Sequence, residues 1–510
     1  MIGLNQLGYR PNDVKKAVVP PCTAGFSVID LYDNSEVFIG SPSEAVYCPA
    51  SDEEVKIADF SAVTKAGNYK LQTERESSFD FIIDNEPYKG LRRGLLEFYH
   101  YQKCGVKLDC GLWSHSACHT SPAFVINKNG QKTGETKDVS GGWHDAGDYG
   151  RYIVPAVQTV AQLLLAYELS DKPDEDLLDE VWFEIRWMLK MQDNATGAVY
   201  HKVSCRGFNP LDEMPDKELD ELVLSPVSAE ATADFAACTA LASRFYPEHG
   251  EKLLTAAIKA WNRCVSNPEP EGFKNPPDVT TGAYENADIK SKYFWAACEL
   301  FRATGDEIYH NYIKTAEITA SIHWKESGGF GIFAYLQAEN TEPELKLRMK
   351  EALLLQAREL LNKSKESPYG ISLDTDFKWG SNGDTGNNAM ILLLAELFDK
   401  SNPEYREYAL EHVNYLLGKN PLGQSYVSGF GSNPMKNPHH RPSVAVGQAV
   451  PGMVSGGPNA KTEIEPTLYR HCAGQPPMKC FTDRAESFSS NEVTIYWNSP
   501  FYFILAVLGL

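Results

Sequence analysis

Gly141-Gly142-Trp143-His144-Asp145-Ala146-Gly147-Asp148-Tyr149-Gly150-Arg151-Tyr152 is a glycine-rich loop that carries two carboxylates three residues apart. It leads straight into a helix, because from Ile153 to Tyr167 apolar residues fall at 153, 154, 157, 160, 163, 164 and 167. Glycines at 141, 142, 147 and 150 let the backbone bend through conformations that other residues avoid. A loop feeding a buried helix is a rigid mount for a catalytic group. Taken alone, Asp-Ala-Gly-Asp is commoner as a turn, a helix cap or a calcium loop, so this stretch does not by itself assign chemistry.

Working outward, the same period recurs. Helices are predicted over 88–103, 151–169, 175–191, 229–246, 249–265, 288–304, 307–322, 343–363, 385–399, 403–417 and 491–509. Ser228 is placed to cap one run and Gly305 to end another. Pairs of helices joined by long loops predict a helical toroid. The loops 104–150, 199–226, 367–384 and 418–490 are rich in Trp, Tyr, His, Asn and Gly, and loops beyond about 15 residues in a folded domain usually carry function. Residues 1–84 read differently, as short alternating runs such as 26–32 and 78–83 punctuated by Pro, Gly, Asn and Asp. Seven or so strands at that spacing predict a β-sandwich. The pattern changes near Glu86, which gives an all-β domain over 1–85 and an all-α domain over 86–510. No low-complexity tract or fixed-period repeat is present.

Composition narrows the partners. A net charge of −20 repels polyphosphate backbones and anionic lipid, which argues against nucleic acid or a membrane as partner and for a neutral substrate. A hydrophobic content of 43% is enough for a substantial core. There is no run of about 18 apolar residues. The start Met1-Ile-Gly-Leu-Asn-Gln6 lacks the basic and apolar stretches of a secretory signal, which predicts a cytoplasmic protein as written, or a secreted one if a leader was removed. Eleven cysteines, odd in number and scattered, do not form a disulfide framework. Oligomeric state leaves no mark on the sequence.

Two further segments carry recognisable residues. Ser425, Val427, Ser428, Gly431, Asn433, Pro438, His439 and Arg441 form one pattern, and Phe481, Asp483, Phe488, Glu492, Thr494, Asn498 and Ser499 a second. Together with 141–152 they resemble, in order and spacing, the active-site signatures of glycoside hydrolase family 9, the inverting cellulase family. The opening Asn5-Gln-Leu-Gly-Tyr-Arg-Pro11 is similar to the start of the immunoglobulin-like module that precedes the catalytic domain in one branch of that family. The resemblance implies an immunoglobulin-like sandwich followed by an (α/α)6 barrel.

It also implies roles. Inverting hydrolysis of a glycosidic bond needs an acid on the leaving oxygen and a base holding water on the opposite ring face, with the carboxyls roughly 6.5–9.5 Å apart. Glu492 resembles the family's acid, and desolvation among Phe488, Val493, Ile495, Tyr496 and Trp497 would raise its pKa. On residue pattern alone it reads as a carboxylate at a helix N-terminus. Asp148 corresponds to the base, and Asp145 to a partner that helps fix the water. His439 and Arg441 would donate to sugar hydroxyls, Asp483 would support the acid's neighbourhood and bind substrate, and Trp379 is a candidate platform under a pyranose ring, weighed against a core aromatic.

Cys104, Cys118, His119 and His144 match no zinc-finger spacing, but they resemble the zinc ligands of the immunoglobulin-bearing branch, and two sulfurs with two imidazoles would close a structural zinc site. Calcium is also common in the family. The stretch Asp212-Glu213 to Glu221, with Glu230, carries oxygens for it, although a solvated charged face reads those residues as well. Ser291-Lys292 stand where the family usually has acidic residues, a departure expected to touch outer contacts only. The predicted activity is cleavage of β-1,4-glucosidic bonds of cellulose-type glucans or cello-oligosaccharides with inversion, as in a cellulase or endo-β-1,4-glucanase. An exo-acting β-glucosidase or exo-β-glucosaminidase on short oligosaccharides is the alternative within hydrolases. A sugar-binding module or a helical scaffold would tolerate changes at 148 and 492.

Overall fold

A computed structural model describes residues 1–266, 272–285 and 287–510. The chain divides into two units, Met1–Phe98 with Arg358–Glu396 and Lys400–Leu510, and Tyr99–Ala357 with Leu397–Asp399.

The first unit begins with eight short strands: β1 (Gly8–Tyr9), β2 (Lys16–Val19), β3 (Phe26–Asp30), β4 (Glu36–Gly40), β5 (Val46–Cys48), β6 (Glu53–Asp59), β7 (Gly67–Thr73) and β8 (Phe81–Ile83). They form two sheets, ordered β1-β8-β7-β3-β4 and β2-β6-β5. In β7 the alternation is plain, since Tyr69, Leu71 and Thr73 are buried while Asn68 and Gln72 are exposed. Between the sheets Tyr9 meets Phe60 and Phe81 edge-on, at ring separations of 5.5 and 5.7 Å. Gly8 is obligatory, because at φ 125° a Cβ would stand 2.0 Å from the Ile82 carbonyl oxygen across the parallel β1–β8 pair.

The helices are α1 (Lys89–Tyr101), α2 (Ile153–Leu169), α3 (Leu177–Met191), α4 (Ala229–Ala242), α5 (Gly250–Ser266), α6 (Ile289–Thr304), α7 (Glu307–Thr315), α8 (Gly328–Gln337), α9 (Pro343–Glu366), α10 (Ser381–Glu396), α11 (Glu404–Leu416), the short α12 (Arg441–Val446), α13 (Pro466–Cys472) and α14 (Phe488–Asn491), and α15 (Ile495–Leu508). Along the chain two kinds alternate. Helices α2, α4, α6, α8, α10 and α15 are buried on nearly every face. Helices α1, α3, α5, α7 and α9 bury a single stripe, as α9 does with Leu345, Met349, Leu353, Ala357, Leu360 and Ser364, while α11 is buried on every side from Ala409 to Leu416. In the second unit α2, α4, α6 and α8 pack in succession, with α3 on α2, α5 on α4 and α7 on α6. In the first unit α10 packs between α11 and α15. No helix among the described residues is long and apolar enough to cross a membrane.

Two expectations fail locally, for one reason. The helix expected over 307–322 stops at Thr315, and α8 is a helix the sequence reading left out. Gly328, Gly329 and Gly331 lower its helix propensity, yet they allow close approach: a Cβ on Gly329 would meet the Ala320 carbonyl oxygen at 2.7 Å, and one on Gly331 the Phe294 ring at 2.7 Å. The chain after α7 runs back against α8, where Gly329 N donates to Ser321 O at 2.9 Å. Tertiary packing overrides propensity here.

Candidate active site

In the second unit the 141–152 loop is pinned by its own backbone and by buried side chains. Cys104 N donates to Gly142 O at 2.8 Å, His144 N to Gln102 O at 2.7 Å, and Asp145 N to Gly150 O at 2.9 Å. Arg151, fully buried, donates from Nη1 to Val139 O and Gly141 O, and Trp143 Nε1 donates to Glu180 at 2.9 Å. Gly142 lies at φ 79° with the Trp187 ring 2.6 Å from where a Cβ would sit, so the glycine is required. Residues Arg151–Tyr152 form β9, which pairs antiparallel with a strand over Lys202–Ser204, and α2 follows at once.

Asp145 and Asp148 are 2% and 8% exposed, and each carries a tyrosine hydroxyl. Tyr152 donates to Asp148 Oδ2 at 3.1 Å, and Gly150 N donates to the same oxygen at 3.0 Å. Tyr284 donates to Asp145 Oδ2, while Asp145 Oδ1 is buried with no hydrogen-bond partner. Burial pushes the Asp145 carboxyl well above the usual range, with the nearby Asp148 charge adding to the shift and the Tyr284 bond opposing it. A dry carboxyl with a vacant acceptor beside a second carboxylate is suited to holding a polar molecule.

Cys104, Cys118, His119 and His144 come together, their ligand atoms all within 4.8 Å of one another. The sulfurs are 3.9 Å apart, Cys104 Sγ is 3.7 Å from His119 Nδ1, and Cys118 Sγ is 3.8 Å from His144 Nε2. A tetrahedron with metal–sulfur bonds of about 2.3 Å has sulfur–sulfur edges of about 3.8 Å, so the four side chains fit a closed four-coordinate ion. His119 also bonds Glu218 through Nε2 at 2.8 Å, which leaves Nδ1 to face the cluster. The expected calcium oxygens do not gather. Glu218 serves His119, Glu221 pairs with Lys132, and Glu230 is fully buried in α4, where it accepts from Phe273 N. Among the described residues the cysteine–histidine group is the one cluster of metal-type ligands. Glu230 is therefore no part of a solvated face.

The first unit holds the other expected residues. Glu492 is half-buried and lies just before α15, in extended conformation between α14 and Ile495, not inside the helix expected from 491. Main-chain bonds fix it on two sides: it bridges in parallel to His439, and Gly456 N donates to Glu492 O at 2.8 Å. His439 donates from Nδ1 to Ala485 O at 2.6 Å. Arg441 opens α12 and is buried. Asp483 accepts from Lys436 N and Asn437 N, both at 2.8 Å, and from Asn491 Nδ2 at 3.1 Å. Both its oxygens thus brace the loop before His439 and the residue before Glu492. Trp379 is 46% exposed, its ring 5.3 Å from Phe488, whose own ring is 6.2 Å from His439. It is not a core aromatic.

The profile described as "Glycosyl hydrolase family 9" matches residues 88–505, and "Cellulase N-terminal ig-like domain" matches 1–78. The chain belongs to glycosyl hydrolase family 9. It is 34% identical to a cellodextrinase of Butyrivibrio fibrisolvens over 99% of this chain and 98% of that protein. It is 33% identical to endoglucanase D of Acetivibrio thermocellus over 99% and 83%. Among solved structures, AaCel9A in complex with cellobiose-like isofagomine superimposes with a TM-score of 0.94 at 35% identity, covering 100% of both chains. The fold is accordingly an immunoglobulin-like sandwich followed by the (α/α)6 helical domain of the family 9 enzymes, and the protein is a glycosidase.

Several residues of this family 9 site escaped the sequence reading. Tyr284 and Glu218 act on partners that no local motif connects, Tyr284 and Asp145 being 139 residues apart, whereas Tyr152 lies only four residues after its partner Asp148. Glu465 is buried, caps α13 and accepts from Ser489 N at 2.9 Å, holding the turn that leads to Glu492. Lys292 corrects an expectation. It is buried and pairs with Asp234 at 2.6 Å, donating also to Trp324 O at 2.8 Å, with the Trp324 ring 5.2 Å from Tyr284. The departure at 291–292 lies inside the helical unit, because α6 is one of the helices buried on nearly every face.

Proposed function

We propose that the protein hydrolyses β-1,4-glucosidic bonds of soluble glucans and cello-oligosaccharides with inversion. The observation that carries this reading is the buried pair Asp145 and Asp148, each on its own tyrosine, in a chain whose full length aligns with cellodextrinase and endoglucanase relatives. Asp148 is the base that takes a proton from the attacking water, and the vacant Asp145 Oδ1 accepts that water's second proton as a hydrogen bond. Glu492 is the acid, protonating the leaving oxygen; its main-chain bonds fix the backbone from which the carboxyl is presented. His439 Nε2 and Arg441 bind hydroxyls of the sugar, and Trp379 with Phe488 offers an aromatic face to a pyranose ring.

The cysteine–histidine cluster holds a structural zinc ion. Four protein ligands leave no position for water, so the ion's part is to tie the 104–119 segment to His144, beside Asp145. A Zn-binding triple mutant of the family 9 endoglucanase J30, 32% identical over 98% of this chain, is among the similar solved structures.

Short cello-oligosaccharides are the favoured substrates, because the relative matched over 98% of its own length is named a cellodextrinase. Cellotetraose should be turned over in preference to carboxymethyl-cellulose, whose viscosity should fall only in step with reducing ends. Rapid thinning at low reducing-sugar yield would assign endo action on polymer instead. Cleavage of chito-oligosaccharides but not cello-oligosaccharides would overturn the glucan assignment.

A further inference from the structure

The strand Lys202–Ser204 clasps the segment that presents Tyr284. Lys202 is fully buried and commits its ammonium to one short stretch, donating to Thr281 O at 3.2 Å, Thr281 Oγ1 at 3.0 Å and Gly282 O at 2.6 Å. The stretch is fastened on either side as well: Thr280 N donates to Arg206 O at 2.7 Å, and His201 Nε2 donates to Ala283 O at 2.9 Å. The next residue, Tyr284, is held at φ 47°, where an aromatic side chain rarely sits, and from there its hydroxyl reaches Asp145. Lys202 has a second tie to the carboxylates. It stands opposite Tyr152 in the β9 pairing, its ammonium is 5.5 Å from the centre of the Tyr152 ring, and the Tyr152 hydroxyl donates to Asp148.

We propose that Lys202 is a positioning residue for the carboxylate pair, acting on Asp145 by holding residues 281–282 so that Tyr284 keeps its strained backbone and its hydrogen bond. This rests on the pair being the water-activating group. A packing role alone would not favour lysine here, since a buried cation that bonds to no carboxylate among the described residues is penalised relative to an apolar side chain of equal length. What offsets the penalty is the ring of carbonyl and hydroxyl oxygens and the nearby Asp148. Burial pushes the amine down to about 7, and the Asp148 charge works against that fall. Lysine's length is also specific, because the ammonium must reach from the strand to two successive peptide groups.

The test is a double-mutant cycle on cellotetraose hydrolysis with Lys202→Met, Tyr284→Phe and the combined variant. Each single change should lower kcat by about 10- to 100-fold, with KM moving less than about twofold, since a catalytic group displaced by about 1 Å loses up to that factor. The combined variant should lose no more than the worse single one, because both remove the same restraint. Multiplying losses, or a kcat within twofold of the parent in Lys202→Met, would overturn the proposal. Should Lys202→Met fail to fold, Thr281→Val, which removes one of the three acceptors, enters the same cycle with the same two outcomes. Asp148→Asn is run alongside. If it retains activity the underlying assignment of the base fails; if it is inactive while Lys202→Met is not, only the role of Lys202 fails.

Discussion

Glu492→Gln and Asp148→Asn should each lower kcat on cellotetraose by about 10²–10⁴-fold, the range in which general acid–base participation acts, while the protein stays folded. Folding should survive because neither side chain sets its own place. Glu492 is located by main-chain bonds to His439 and Gly456, and an amide at 148 still offers an oxygen to Gly150 N and the Tyr152 hydroxyl. The two losses should differ in kind. A dinitrophenyl glycoside leaves without needing a proton, so Glu492→Gln should recover most of its rate on that substrate and Asp148→Asn should not. Losses below tenfold in both variants, or recovery in the wrong one, would contradict the assigned roles.

Protein purified without chelator should contain one zinc per chain, and Cys118→Ala should lose it. The geometry leaves a four-coordinate ion without exchangeable water, and the sulfur–sulfur and sulfur–nitrogen separations of 3.7–3.9 Å match the edges of such a site. Zinc binding by small folded motifs is worth about 10–16 kcal/mol in apparent terms; if only a third of that stabilises this larger chain, its loss should lower the Tm by about 4 °C. Activity should fall with it, since His144 is bonded through its backbone to Gln102 and directly precedes Asp145. Metal analysis that finds no zinc with all four ligands intact would remove the ion from the account.

Much of this was legible before any coordinates. The α9 stripe and the alternation in β7 declare themselves because each buries one face, and one-faced elements have a readable period. The all-buried helices were harder. Helix α8 was missed because its glycines, unfavourable in a helix, are there for contacts with Phe294 and Ala320 that lie outside the local sequence. The site divides in the same way. Asp145, Asp148, His439 and Glu492 stand out through signature patterns, whereas Tyr284, Lys202 and Glu218 do not, since each works on a partner brought near only by folding. The metal cluster lies between these cases: its spacing fits no general rule, and only the resemblance picked its four residues out of eleven cysteines and twelve histidines. Lys292 shows the converse error. A lysine in a polar-looking run was read as peripheral, and its burial against Asp234 follows from the position of α6 alone.

The claim that Asp148 is the base and Glu492 the acid of an inverting hydrolysis is tested most directly by the anomer released first. Cellotetraose mixed with enzyme in an NMR tube should give the α-anomeric proton signal of the new reducing end before mutarotation brings the β signal up. If the β-anomer appears first, the bond is cleaved with retention, and the assignment of Asp148 as base and Glu492 as acid is wrong.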